Sequence, residues 1–281
     1  MLINRLWDFQ LAEKAFPYYR GGCSANEATL LALLSFFAVG VPIEKTGPVL
    51  SNILSQQNTD GSIGACAQHR ADGIWLTAHL AIALHYYGCF QQRDRALSFL
   101  RDLKSDTPSI APHDQNMLPA VIVGWPWVRN TFGWVEPTAW ALLAFKISGL
   151  NDDPRAMQGR RLLLDRQIAS GGWNYGNKAV RGTQLLPFWD TTALALLALQ
   201  GSAESALADV SLRVLEKGAP AINSLYGLSL AAICLQAYKK NIDLLTEHLC
   251  EVMSQLADEE INVAHYALGV IALSEKSMLA A

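Results

Sequence analysis

Three carboxylates in this chain sit in matched settings that suit proton transfer. Asp190 lies in Phe188-Trp189-Asp190-Thr191-Thr192-Ala193, Glu136 in Trp134-Val135-Glu136-Pro137-Thr138-Ala139, and Glu27 in Asn26-Glu27-Ala28-Thr29-Leu30. An indole stands shortly before both Asp190 and Glu136. An apolar wall raises a carboxyl pKa, which suits a general acid, and π-faces nearby stabilise a passing cation. The same positions have a plainer use. Each acid falls where a helix would begin, and the positive end of the helix dipole favours any carboxylate there. That dipole works against a raised pKa, so the residues alone leave both roles open.

Aligning the repeated apolar runs puts Glu27, Trp75, Glu136, Asp190 and Tyr226 at one level, with His265 one residue away. Asp190 and Glu136 are the catalytic candidates. Trp75, Trp127, Trp134, Phe188, Trp189, Tyr226 and His265 are the candidates for lining a hydrophobic substrate path, and Arg129 and Arg181 for holding its anionic end. His69, Arg70 and Lys178 add basic character near the same loops, and a diphosphate or carboxylate is the chemistry such residues would take. His79 and His85 are six positions apart and so do not share a helix face as a metal-binding pair would. Both read as core histidines.

The elements that must position these residues are repeats. Six apolar segments rich in Ala and Leu cover Ser24–Gly40, Asp72–Gly88, Gly133–Gly149, Leu186–Gly201, Ile222–Tyr238 and Ile261–Ser274. They are apolar nearly all round, the mark of helices buried on both faces. Four end in glycine, the usual residue for a left-handed helix stop. Between them run six segments with a charged face: Asn4–Phe16, Ile43–Gln57, Arg93–Lys104, Pro154–Ile168, Ser202–Lys217 and Asp243–Leu256. Six buried helices alternating with six half-exposed ones predict an all-α α6/α6 toroid, one β-domain-like barrel spanning residues 1–281 as a single domain. Two connections exceed what a helical hairpin needs, Ser105 to Phe132 and Gly171 to Pro187. Both lead into the amino ends of inner helices, so both should meet at one mouth of the ring.

Half of the 281 residues are hydrophobic (51%), only 17% are charged, and the net charge is −3. No basic run points to nucleic acid or to an anionic membrane patch. No apolar run is long enough to span a bilayer, and the amino terminus lacks a signal-peptide pattern, so a cytoplasmic location is expected, with peripheral membrane contact left open. Cys23, Cys66, Cys89, Cys234 and Cys250 are odd in number and scattered, which predicts reduced thiols.

One motif is more specific. Gln167-Ile168-Ala169-Ser170-Gly171-Gly172-Trp173 has a faded copy at Gln57-Asn58-Thr59-Asp60-Gly61-Ser62-Ile63. With the Ala/Leu-rich inner helices and the Asp190-Thr191-Thr192-Ala193 helix start, this Gln-x-x-x-Gly-x-Trp unit resembles the superfamily of squalene-hopene-type terpene cyclases and protein prenyltransferase β subunits. The resemblance implies a structural role for Gln167, Gly171 and Trp173 as clasps between repeats. It implies an enzyme similar to class II terpene cyclases, which would bind a polyprene inside the barrel and start cyclisation with a proton. Asp190 matches the central acid of the family's Asp-x-Asp-Asp-Thr-Ala, but Phe188 and Thr191 replace the outer aspartates, which weakens the match. No cofactor is implied. The prenyltransferase branch holds a zinc through Asp, Cys and His. Here Cys234 falls deep in its helix and no matching Asp-x-Cys exists, so no metal is expected. Two further readings remain: a non-catalytic isoprenoid- or lipid-binding protein, or a subunit whose partner completes the site; and a carbohydrate-active α6/α6 enzyme, which also places acids at inner-helix ends. A shallow polar cleft would favour the sugar, a deep apolar cavity the isoprenoid.

Overall fold

The structure is a computed structural model and describes residues 2–71, 73, 75–105, 122–180, 183–201, 205–276 and 278–280. Six helices form an inner ring: α2 (Asn26–Ala38), α4 (Leu76–Tyr86), α6 (Val135–Ile147), α8 (Trp189–Leu199), α10 (Leu225–Ala237) and α12 (Val263–Ala272). Each packs on the next, and α12 packs back on α2 to close the circle. The outer layer is α1 (Leu2–Trp7), α3 (Ile43–Gln56), α5 (Phe90–Asp102), α7 (Pro154–Arg166), α9 (Ser205–Gly218) and α11 (Asp243–Gln255). Helices α3, α5, α7, α9 and α11 each lie against the inner helix that precedes them, and α1 lies against α12. The outer helices bury one stripe: α3 turns Thr46, Val49, Leu50 and Ile53 inward and leaves the opposite face wet. The barrel is therefore built of helices. Among the described residues β structure is confined to the two-residue pairing of Ala179–Val180 with Thr183–Gln184 and to isolated bridges, so the barrel has no β component.

Two boundaries differ from expectation. The first outer helix stops at Trp7 instead of running to Phe16. Leaving the helix lets the chain turn at Lys14, whose φ is 63°, and plant Phe16 against Phe36 at 5.7 Å. Trp7 stacks on the same Phe36 ring at 4.1 Å. Continued helix would carry Phe16 away from that cluster. The outer helix expected to start at Arg93 begins earlier, at Phe90.

The loops entering the inner ring share a lock. The backbone N–H groups of Phe16, Ile63, Trp125 and Trp173 donate to the buried hydroxyls of Thr29, Thr77, Thr138 and Thr192, at 2.9, 3.2, 2.9 and 3.0 Å. Each otherwise orphaned loop N–H is thus satisfied inside the core. The Gln167 unit adds two ties. Its side-chain amide and the N–H of Gly172 both donate to Ser211 Oγ on α9, and the Trp173 indole N–H donates to the Leu163 carbonyl on α7. Trp125 repeats the pattern, giving its indole N–H to the Leu100 carbonyl on α5. In the faded copy, Gln57 instead holds the Gly61 and Gln92 carbonyls.

The glycine stops after α2, α4, α6 and α8 (Gly40, Gly88, Gly149, Gly201) all adopt φ between 71° and 77°. After α10 that conformation falls to Lys239, at φ 56°. A side chain there costs energy that glycine avoids. Lys239→Gly is therefore expected to raise the unfolding free energy by roughly 0.5–1 kcal/mol, read from urea denaturation midpoints; a loss of stability would contradict this account.

Candidate active site

The amino ends of the inner helices meet at one mouth, and each contributes one partly exposed residue: Glu27, Trp75, Glu136, Asp190, Tyr226 and His265. One helical turn below stand Leu31, His79, Trp140, Leu194 and Leu230, each 1% exposed or less, with buried Gly269 completing the level. These side chains are closed off from solvent. The floor is braced by His79 against Trp140, ring centroids 4.2 Å apart, and burial pushes the His79 pKa down to about 3, so it is a neutral filler. Among the described residues the site is a cup about one turn, roughly 5 Å, deep. Among the described residues, the inward side chains of the barrel expected to receive a polyprene are buried.

Each carboxylate of the rim receives a phenol. Tyr18 donates to Glu27 Oε2 at 2.5 Å, Tyr226 to Glu136 Oε1 at 2.5 Å, and Tyr175 to Asp190 Oδ2 at 3.4 Å. Tyr226 comes from α10 and reaches α6 past the intervening α8, so its bond crosses the mouth. The other oxygen of Asp190 accepts the Thr191 N–H at 2.8 Å. Burial pushes the Glu136 carboxyl up to about 7. The Tyr226 hydroxyl pulls it down in part, and the charges of Asp190 and Glu27 push it up again. Burial likewise raises Glu27, and burial together with the Glu136 charge holds the Tyr226 phenol well above its ordinary range. His265 lies 4.9 Å from Tyr226 and is lowered by burial, so it is neutral at neutral pH. Burial is thus the largest influence on the Glu136 carboxyl.

Aromatic walls flank the cup. Trp127 meets Trp75 edge-on at 5.1 Å. Trp134 covers Gly176, where a Cβ would come within 2.9 Å of the indole. Phe188, half exposed, packs on Tyr175 at 4.9 Å. Trp189 departs from expectation. Its ring lies against Gly218 at the end of α9, in space a Cβ there would fill, so it braces the outer layer instead of lining the path. Arg129 is exposed, paired with Asp60 at 3.3 Å and resting over Phe99. Arg181 and the 106–121 stretch of the long connection lie outside the described residues. Cys234 is buried mid-helix in α10, and among the described residues no group of three His, Cys, Asp or Glu side chains is placed to hold a metal.

Sequence reasoning missed two features. Tyr18 and Tyr175 were not recognised as acid partners, because nothing in their spacing marks a contact made between loops. Trp125 is a buried clasp, and the signal that could have found it is Gly124-Trp125 echoing Gly172-Trp173.

No protein-family model matches the chain, and no curated relative does. Solved structures do. An α-1,6-mannanase of a Salegentibacter species, an inactive variant in complex with α-1,6-mannotriose, is similar over 99% of this chain and 97% of its own, with a TM-score of 0.65 and 14% identity. An α-amylase from Clostridium perfringens is similar over 97% of both chains at a TM-score of 0.63 and 10% identity. A type II terpene cyclase from Scytonema is similar over 82% of this chain and 65% of its own, at 0.52 and 16%. The chain has the α/α-toroid fold. At these identities the likeness concerns architecture alone. No helix among the described residues is long and apolar enough to cross a membrane.

Proposed function

We propose that this chain is a glycan hydrolase of the α/α-toroid type, with Glu136 as general acid and Asp190 as base. The carrying observation is the pair of carboxylates on adjacent inner helices, α6 and α8, at the rim of a shallow cup whose floor closes one turn below. Glycosidic cleavage uses two carboxyl groups, one protonated and one ionised. Glu136, held up to about 7, keeps its proton into the neutral range and gives it to the leaving oxygen as the C–O bond breaks. Asp190 takes a proton from the attacking water, whose oxygen bonds to the anomeric carbon. Tyr226 and Tyr175 orient the two acids, and the Trp75–Trp127 pair and the Tyr175–Phe188 pair offer flat apolar faces to sugar rings.

A second reading is favoured by one observation: Asp190 opens α8 in the Phe188-Trp189-Asp190-Thr191-Thr192-Ala193 setting, and a similar fold belongs to a type II terpene cyclase captured in complex with geranylgeranyl dihydroxybenzoate as substrate. There Asp190 would protonate an alkene, the polyprene lying over the aromatic rim and not within the ring. Incubation with α-linked and β-linked oligosaccharides in parallel with polyprenyl substrates separates the readings. Release of reducing ends that is lost in both Glu136→Gln and Asp190→Asn supports the hydrolase. Cyclised polyprene lost only in Asp190→Asn supports the cyclase. Binding without turnover of either class overturns both and leaves a binding protein.

A further inference from the structure

The rim carries a second, basic recess beside the cup. Between the α3–α4 loop and the loop before α6 lies an open recess of about 450 Å³, lined in part by Gln57, Asn58, Asp60, Ser62, Arg70 and Arg129. Its volume is in the range of small-ligand sites. Arg95 adds a third guanidinium at its edge, bonded to the Asn58 and Thr59 carbonyls. Among the described residues, Asp60 is the carboxylate that answers these three cations. Asp60 Oδ1 is taken by the Ser62 N–H and hydroxyl, at 3.0 and 2.6 Å, which leaves Oδ2 facing Arg129 at 3.3 Å. That pair is half exposed on both sides, and exposed pairs of this kind hold weakly. Among the described residues, the Arg70 guanidinium gives one bond, to the Ser55 carbonyl at 3.2 Å, of the five N–H donors it carries. The recess is also connected to the mouth. Arg129 follows Trp127 by two residues, and Trp127 packs edge-on against Trp75 of the rim.

We infer that this recess is an oxyanion subsite, and that the glycan processed at Glu136 and Asp190 carries a carboxylate or phosphate substituent which Arg129 and Arg70 hold. The inference rests on the hydrolase reading for the identity of the ligand, but not for the existence of the anion site. A substrate crossing from the acids over the Trp75–Trp127 pair brings its next substituent to Arg129. Planar guanidinium groups suit carboxylate and phosphate oxygens, and among the described residues an incoming oxyanion has the weak Asp60 pair to displace.

The test uses Glu136→Gln protein, in which turnover is slowed by about 10²–10⁴-fold, and titration calorimetry with uronic-acid oligosaccharides, their neutral counterparts, glucose 6-phosphate and inorganic phosphate. Anionic sugars are expected to bind about tenfold tighter than neutral ones, with added salt eroding the difference. Arg129→Gln and Arg70→Gln should each remove most of that preference while neutral sugars bind unchanged. Asp60→Asn keeps the acceptor for Ser62 but loses the competing charge, so it should tighten anion binding by about three- to tenfold, an effect that a purely structural arginine pair would not show. The uronate and phosphate arms tell which oxyanion fits. Equal affinity for charged and neutral sugars, or arginine variants without effect, overturns the subsite. If wild-type protein hydrolyses neutral glycans with no anionic preference, the subsite fails and the hydrolase stands. If it hydrolyses no glycan yet arginine-dependent anion binding persists, the hydrolase fails and the subsite stands.

Discussion

Replacing Glu136 with glutamine is expected to lower turnover by about 10²–10⁴-fold and to raise stability in neutral and alkaline solution. Both effects come from one enclosed carboxyl. In the folded chain it keeps its proton up to about pH 7, because burial and the charges of Asp190 and Glu27 outweigh the Tyr226 hydrogen bond. Activity that depends on the protonated acid therefore falls as pH rises through about 7, and the acidic side of the profile belongs to other groups. In the unfolded chain the same glutamate ionises near its ordinary value of 4.5. Between those two values the unfolded state binds fewer protons than the folded one, so stability declines with rising pH across that window and is flat above it. The loss is of order 1–3 kcal/mol. Glutamine carries no ionisable proton and should erase that slope. Tyr226→Phe supplies the complementary test. Removing the hydrogen bond that lowers Glu136 should move the alkaline limb of activity to higher pH while leaving its shape intact. A limb that stays in place under Tyr226→Phe, or a glutamine variant that retains wild-type turnover, would exclude Glu136 as the acid.

Trp173→Ala and Trp125→Ala are each expected to cost about 3–5 kcal/mol, measured by urea denaturation. Both indoles are buried to 1% exposure or less. Each fills the junction between an outer helix and the next inner helix, and each gives its N–H to an outer-helix carbonyl, Leu163 for Trp173 and Leu100 for Trp125. Truncation leaves a cavity and an unpaired buried carbonyl at once. Arg155 adds to the Trp125 junction, stacked 3.7 Å above the ring and bonded to the Leu103 and Gly124 carbonyls. A cost below 1 kcal/mol for either tryptophan would show that the junction repacks and that the clasp is incidental.

The alternation of buried and half-buried helices could be read from composition alone, since helices such as α8 are apolar on every face while α3 shows one stripe. The rim level was legible in part: aligning the apolar runs put five residues at one height and His265 one residue off it, and in the structure all six are partly exposed. What lies beneath them was not. Whether an Ala/Leu helix lines a cavity or fills one depends on how far the ring contracts, and that is settled by packing among residues far apart in sequence, such as His79 against Trp140. The phenol partners were hidden for a similar reason. Tyr226 meets Glu136 from 90 residues away, and Trp189 turned outward because Gly218 leaves room for it. Each case turns on a long-range contact with no local periodicity to announce it.

The closure of α12 onto α2 has a consequence for how the molecule is made. These two helices are separated by more than 200 residues, so at ribosomal speeds α2 emerges on the order of 10–40 s before its second neighbour exists. Throughout that interval an Ala/Leu-rich flank faces water or whatever covers it. The nascent chain should therefore be most aggregation-prone before its last repeat appears, and a stalled or prematurely terminated product should be a chaperone client while the finished ring is not.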